Sequence, residues 1–441
     1  MPTGKWPGSA VVALRAWTDL AIPTLRKSWP PKKCRGARIV DVAAPPRIPR
    51  EVWVLVAGSF VVAIGFGLVT PVLPTFAASF GVNATAVAVI ISAFALSRLL
   101  FSPVAGKLLN RWSERPIYLM GLAIVALSNI AFAFAPSYGW LVAARSFGGI
   151  GSCMFTISSF ALLVRVTPPS IRGRASALYA SGFLIGNITG PLLGGLLVGV
   201  SMKAPFLGYA GALLVAIVVV QLLLGRGKLT PRVRVEGAVD MLLSEALRHP
   251  TYRAVLASNF TVGWAVYGIR IALLPLFVAS VLKSDVAVAG YALTLFAVGN
   301  AIVLPVSGRW SDRVGRKPAV MCGLIVSAVA TGAIGLTSSI AVTLLLSVLG
   351  GIGSGLITPG QQAAVADVIG SRHGGSVLAG FQMSADIGTV IGSIAAGLIV
   401  DASGFKMAFL LAGCVVLLAF LPWLWAKETL PKAAPSGVKR P

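Results

Sequence analysis

From Val52 to Ala426 the chain alternates long apolar runs with short polar breaks. Twelve runs stand out, near 52–76, 84–106, 117–137, 139–165, 175–199, 205–225, 252–279, 288–308, 317–337, 339–366, 376–400 and 405–426. A helix needs about 20 residues to cross the hydrocarbon of a bilayer, and each run meets that length. None alternates apolar with polar positions, and all are too long for barrel strands, so the runs predict helices. The expected fold is an all-α integral membrane protein with twelve transmembrane helices. The first run begins only near Val52, so no removable signal peptide is expected.

Composition agrees. Only 11% of residues are charged and the mean hydropathy is +0.88, whereas a soluble domain carries about 25% charged residues. The net charge of +24 would also fit a nucleic-acid partner, but its distribution argues against one. Lys203, Lys283 and Lys406 fall in breaks on one side, Arg98, Arg145 and Arg270 fall inside runs, and the other basic residues gather on the opposite side. Basic loops stay cytoplasmic, which predicts a multi-pass plasma (inner) membrane protein with both termini inside. The partners expected of those loops are anionic lipids. The four cysteines, Cys34, Cys153, Cys322 and Cys414, lack metal-ligand spacing and read as small apolar side chains. No metal or cofactor is expected, and the chain reads as a monomer.

The polar breaks repeat. GKLLNRWSERP at 106–116 and GRWSDRVGRKP at 308–318 begin 202 positions apart, and RSFGGIGS at 145–152 matches SVLGGIGS at 347–354 at the same offset. Gly186, Gly190 and Gly195 match Gly388, Gly392 and Gly397, again at 202, while FGLVTPVLPTF at 66–76 matches YGIRIALLPLF at 267–277 at 201. One residue is therefore expected to be inserted between the first and second spans of the second half. The chain reads as one six-helix unit used twice in parallel, which places a substrate site at the midplane between the halves. The expected parts are a basic lead at 1–51, bundles at 52–225 and 252–427, a linker at 226–251 and a tail at 428–441. Within the linker, GAVDMLLSEALRHP at 237–250 sets Val239, Leu242, Leu243, Ala246 and Leu247 on one face, predicting an amphipathic helix.

These motifs resemble the major facilitator superfamily. Its signature loop, G-x-x-x-D-R-x-G-R-R/K, is complete in the second half as Gly308, Asp312, Arg313, Gly315, Arg316 and Lys317. The first copy keeps Gly106, Arg111 and Arg115 but has Asn110, Ser113 and Glu114 at the other places. An R-x-x-x-G-x-G pattern (Arg145, Gly149, Gly151) and a G-x-x-x-G-P-x-x-G-G pattern (Gly186, Gly190, Pro191, Gly194, Gly195) are similar to the twelve-helix drug:proton antiporter branch. The resemblance implies export of small molecules against protons by alternating access. It also implies signature loops that tie cytoplasmic helix ends together while the transporter faces outward. Since Asn110 lacks the charge of Asp312, the second joint is expected to be the stronger. The family resemblance leads one to look for an acid in the first helix, and the run 52–76 has none.

Charges inside spans cost roughly 2.5–3.5 kcal/mol each on insertion scales, a cost usually borne for a pathway or a pair. Asp386 is the one acid near mid-span, and neither His249 nor His373 lies in a run. Asp386 is therefore expected to carry the proton, with Arg145 relaying or tuning it, or else to hold a static pair with an arginine. Arg98 reads equally as a residue that snorkels toward the cytoplasm. The small residues Gly186, Gly190 and Gly194 share one helix face and, with Pro191 as a kink, are expected to form a hinge and seal between halves. Aromatic and apolar residues with a few polar groups should line the cavity. The candidates are Phe66, Phe155, Phe183, Trp264, Tyr267, Asn187, Gln382 and Arg270. Arg145 and Arg270 against Asp386 make the cavity cationic by count, favouring neutral or anionic amphiphiles. No phosphate loop is present for an ATP-driven pump. A proton-coupled importer and a non-transporting receptor or lipid-handling protein of the same fold stay open.

Overall fold

The computed structural model describes residues 48–167, 171–223, 241–370, 372 and 374–430. The basic lead, most of the linker with Val239, His373 and most of the C-terminal tail lie outside them. Ten membrane-length helices follow in order: α1 Arg50–Val69, α2 Ala84–Arg111, α3 Glu114–Ala133, α4 Tyr138–Val166, α5 Arg172–Leu197, α6 Ala204–Leu223, α7 Pro250–Ser280, α8 Val286–Arg313, α9 Arg316–Ile334 and α10 Ile340–Ile369. The last apolar stretch runs as 51 residues from Gly375 to Trp425, which would measure about 75 Å if straight, more than twice the hydrocarbon thickness. It breaks at Gly404, whose φ of 79° is left-handed, giving α11 over 375–403 and α12 over 405–425. The twelve spans expected from the sequence are thereby present.

Helix starts follow from local chemistry. Asn83 accepts from the Ala86 N–H at the start of α2, and Asp285, its counterpart 202 residues on, accepts from the Ala287 N–H at the start of α8. Helices α1 to α6 pack mainly on one another, as do α7 to α12, and the two groups meet chiefly where α2 crosses α11 and α5 crosses α8. Arg50 and Trp425 mark the terminal face, and the turns before α2 and α8 lie on the opposite face.

One expectation needs correction. Among the described residues of the linker segment the helix is a single turn, Leu243–Ala246, in place of a longer amphipathic helix. Ala246 is buried and Leu243 packs at Gly380, but Leu242 and Leu247 are exposed. The serine hydroxyl of Ser376 donates to the Met241 carbonyl (2.8 Å), Leu242 is extended, and Pro250 opens α7 just beyond, so the turn is bounded on both sides. The repeat carries one insertion beyond the expected one, which lies between α7 and α8, where the offset passes from 201 to 202. Residues 263–270 of α7 form a π-helix. On its near side Gly388 approaches Phe260, where Gly186 approaches Phe60, an offset of 200. On its far side Gly268 and Gly67 meet corresponding partners, an offset of 201. A π segment accommodates one extra residue, so an insertion lies inside α7 itself.

On the terminal face the chain after α12 turns back to cap α9. The Glu428 carboxylate accepts from the backbone N–H groups of Arg316 (2.9 Å) and Lys317 (3.0 Å), the first turn of α9, and from those of Thr429 and Leu430. Gly315 has φ 136°, and a Cβ there would lie 2.4 Å from the Glu428 carboxylate, so both its backbone and its neighbour require glycine. Burial alone would raise the Glu428 carboxyl, but the four N–H donors outweigh it and hold it below the ordinary glutamate range. A depressed carboxyl stabilises the fold above its unfolded value, and that stability is lost as pH falls through the folded value. Thermal unfolding of the detergent-solubilised protein should show a midpoint that drops below about pH 4.3. Glu428→Gln should flatten that drop and cost about 0.5 kcal/mol at neutral pH, the low end for a cap on an exposed side chain.

Candidate functional site

Between the two helix groups lies a cavity of about 590 Å³. Of the residues predicted to line it, Phe66, Phe155, Phe183, Asn187, Tyr267 and Gln382 do so, together with Arg145 and Asp386. Trp264 and Arg270 do not. Trp264 is buried beneath α11, against the backbone that Gly388 and Gly392 leave open. The π segment explains the split within α7, since it turns Tyr267 toward the cavity while Trp264 and Arg270 stay in the packing. Sequence reading missed Arg98, Phe94, Tyr179, Tyr209 and Gln362 in the wall. Phe94 and Arg98 are four residues apart on α2, one helical face, a spacing that could have flagged them together.

The arginine partners differ from expectation. Asp386 on α11 pairs with Arg98 on α2, with Nε 3.6 Å from Oδ1, and Arg98 also donates to the Ser152 hydroxyl on α4 (3.1 Å). Arg98 thus faces the cavity and does not snorkel. Among the described residues no side chain or backbone group donates a hydrogen bond to the Asp386 carboxylate. Arg145 does not reach Asp386. It stacks on the Phe94 ring, 4.3 Å from guanidinium carbon to centroid, and its Nε is buried with no partner. Arg270 repeats this arrangement in the second half from a non-equivalent position. It lies 4.3 Å over Phe296, the counterpart of Phe94 at 202 residues, in space that Gly350 leaves open. It is 4% exposed, and its Nε and Nη1 have no partner.

The glycine stripe faces inward to its own group. A Cβ on Gly190 would sit 2.5 Å from the Ile64 carbonyl oxygen, and one on Gly194 would sit 2.3 Å from that of Leu68. Gly186, Gly190 and Gly194 therefore let α5 lie against α1, and the seal between groups falls to their neighbours. Gly195 abuts Ala287 of α8, and the Pro191 carbonyl abuts Gly290. The pseudo-symmetric contact is exact in register, since Gly397 abuts Thr85 on α2 and both pairs are offset by 202. Both lie toward the opposite face, where Asp401 also accepts from the Ala84 (3.1 Å) and Thr85 (2.9 Å) N–H groups. Deeper in, Ser92 and Ser393 share a hydrogen bond (2.6 Å). Below Arg98 and Asp386, no hydrogen bond or ion pair links α2 to α11 among the described residues.

The signature joints carry reversed charge. In the second half Arg316 pairs with Asp367 on α10 (3.3 Å) and with Asp312 one turn back. At the matching positions of the first half, Glu114 pairs with Arg165 on α4. Arg115 donates to the Gln221 carbonyl (2.7 Å), as Lys317 does to the carbonyls of Leu424 (2.9 Å) and Ala426 (3.2 Å). Arg111 and Arg313 are exposed, and Cβ atoms built on Gly106 and Gly308 meet open space. The side chain of Asn110 lies outside the described residues. Its sequence position fits the missing aspartate: an acid there would stand four residues before Glu114 across the turn between α2 and α3, as Asp312 stands before Arg316 in the second half, and would add a like charge to the joint.

A pseudo-symmetric twelve-helix bundle with a charged, aromatic-walled cavity between its halves is the architecture of a membrane transporter. The pattern that defines the Major Facilitator Superfamily matches residues 55–269 and 255–441, and the chain belongs to that family. Multidrug resistance protein 2 of Bacillus subtilis is 23% identical over 86% of this chain and 96% of its own length. The quinolone resistance protein NorA of Staphylococcus aureus is 32% identical over 37% of this chain and 42% of its own. A bacterial homologue of the human lysosomal transporter Spinster, in an inward-facing and occupied conformation, superposes with a TM-score of 0.70 at 16% identity, covering 86% of this chain and 97% of that one.

The reversed joints make a direct prediction. Asn110→Asp should destabilise the first joint by about 0.2–1 kcal/mol, the range for partly exposed charge pairs, read as a lower unfolding midpoint. The same aspartate placed beside Glu114→Arg and Arg165→Asp should lose that penalty, because the first joint then copies the second. An equal penalty in both backgrounds would contradict the charge-reversal account.

Proposed function

We propose that this transporter exports small amphiphilic molecules in exchange for protons, by alternating access. The relatives named for multidrug and quinolone resistance support the export reading. Two bundles at 52–225 and 252–427 rock about the cavity, with the segments at 226–251 and at both chain ends on the cytoplasmic face. The terminal face is then cytoplasmic, and the sealed opposite face is external, so this conformation opens inward. The protein works as a monomer in the plasma membrane, its basic loops against anionic lipid.

The observation that carries the reading is the Arg98–Asp386 pair. One partner comes from each half, at mid-depth, in the wall of the cavity. Ionised Asp386 holds α2 and α11 together through Arg98. Proton arrival removes one charge of the pair, leaving Arg98 and Ser152 on one half and a neutral acid on the other. Both side chains are about a fifth exposed, so losing one charge costs between the ~1 kcal/mol of an exposed pair and the roughly 3–5 kcal/mol of a fully buried one, enough to bias which face opens. Substrate that engages the ionised carboxylate competes with the proton, which is the linkage exchange requires. Arg145, which does not touch Asp386, acts on the substrate side of the cavity in this reading.

Vesicles holding the purified protein and an imposed pH gradient supply the test. Substrate should leave as protons enter, and Asp386→Asn should abolish the pH-gradient dependence of flux even at substrate concentrations that saturate the variant. Full gradient-driven flux in Asp386→Asn would contradict the proton role. Co-directional movement of substrate and proton would identify an importer, and binding with no coupled flux a receptor.

A further inference from the structure

The cavity has two separated charged centres with different unmet needs. Asp386 is paired with Arg98 at 3.6 Å, yet its carboxylate accepts no hydrogen bond from the described residues. Arg145 stacks on Phe94, its Nε is buried without a partner, and no described carboxylate pairs with it. Ser152, which touches Arg98, lies seven residues beyond Arg145 on the same face of α4, a separation of about 10 Å along the helix axis. The wall that holds both centres also carries the aromatic side chains of Phe66, Phe155 and Phe183.

Each centre selects its own chemistry. A buried guanidinium without a carboxylate calls for an anion, and a planar fork suits a carboxylate or similar acid. The linkage at Asp386 constrains the other end. A purely anionic substrate would repel the ionised carboxylate and bind best when Asp386 is protonated, so anion and proton would travel together. Exchange requires the reverse, a substrate end that Asp386 holds only when ionised: a protonated amine or a hydrogen-bond donor.

We propose that the cavity takes a two-ended aromatic molecule, with an acid group held by Arg145 and a basic or donor group held by Asp386, the two centres lying two helical turns apart along α4. This assignment rests on the exchange reading above and adds the substrate class to it. The flat body stacks along the phenylalanine wall, and the substrate has little net charge although both ends are charged. The sequence count set Arg145 and Arg270 against Asp386 and favoured neutral or anionic amphiphiles; Arg270 lies outside the cavity wall and Arg98 is committed to Asp386, so Arg145 is left for the substrate.

The test uses the full chain in detergent and one rigid scaffold, a biphenyl with a carboxylate at one para end and an aminomethyl group at the other. Its methyl ester lacks the acid and its N-acetyl form lacks the cation. Titration calorimetry should rank the two-ended probe at least about tenfold above each blocked form, as for any site whose buried polar group is left unmatched. Arg145→Gln should erase the ester's disadvantage and leave that of the N-acetyl form, and Arg145→Lys should keep part of it. Asp386→Asn should erase the N-acetyl disadvantage and leave that of the ester. Size-exclusion profiles confirm that each variant is folded. Equal affinities across the three probes, no measurable binding of the two-ended one, or an ester penalty that survives Arg145→Gln would overturn the assignment. Flux of the same probes under a pH gradient separates the two levels. Coupled export without charge preference sinks the substrate class and leaves exchange standing. Charge preference with co-directional flux leaves the two-ended site standing and sinks exchange.

Discussion

An ionised carboxylate at mid-bilayer depth is tolerated only with a partner, and here the partner belongs to the other half of the molecule. That constraint organises the structure. Arg98 and Asp386 sit where α2 and α11 cross, the same crossing that Ser92, Ser393, Gly397 and Asp401 close toward the opposite face. Above the pair the helices are joined by backbone proximity and hydrogen bonds. Below it, no polar bond links them among the described residues. The pair therefore stands at the boundary between the part of this interface that polar bonds join and the part that they do not. A change in its charge acts where the leverage on that interface is greatest.

Pseudo-symmetry supplies the frame and its violations supply the chemistry. The contacts of Gly195 with Ala287 and of Gly397 with Thr85 repeat to the residue, as do Phe94 and Phe296 beneath their arginines. The departures are informative. The arginine over Phe94 comes from α4 and lines the cavity, whereas the one over Phe296 comes from the π segment of α7 and is sealed in the packing. The acid–base pair of each signature joint is inverted, Glu114 with Arg165 against Arg316 with Asp367. The inversion leaves each joint paired, and it removes any place for an aspartate at residue 110. The difference between the two joints that stood out in the sequence is thus a consequence of charge order and does not by itself make one joint weaker.

Much of this was legible in the sequence. The length of the apolar runs fixes twelve spans because backbone groups must be satisfied inside the hydrocarbon, and the repeated loops fix the two related halves. Six of the eight cavity candidates line the cavity because aromatic and amide side chains near mid-span have few other uses. What was not legible depends on helix rotation. Period alone does not say that Gly186, Gly190 and Gly194 face α1 while Gly195 faces α8. Nor does it reveal a π segment that rotates Tyr267 away from Trp264 and Arg270. Partner choice was equally hidden: Arg145 and Arg98 are both arginines in spans, and only the crossing of α2 with α11 decides which one meets Asp386. The linker helix failed as a prediction because its apolar face is met by α11 over a single turn.

The central claim is that the charge on Asp386 sets the balance between the two halves. Spin labels at Lys107 on α2 and Leu378 on α11, both exposed near the terminal face, report that balance directly through their distance distribution. Pulsed electron double resonance in nanodiscs should show the distribution shifting between mildly acid and alkaline pH in the parent protein. In Asp386→Asn it should stay fixed at the acid form. The same pH shift in that variant, or none in the parent, would contradict the account.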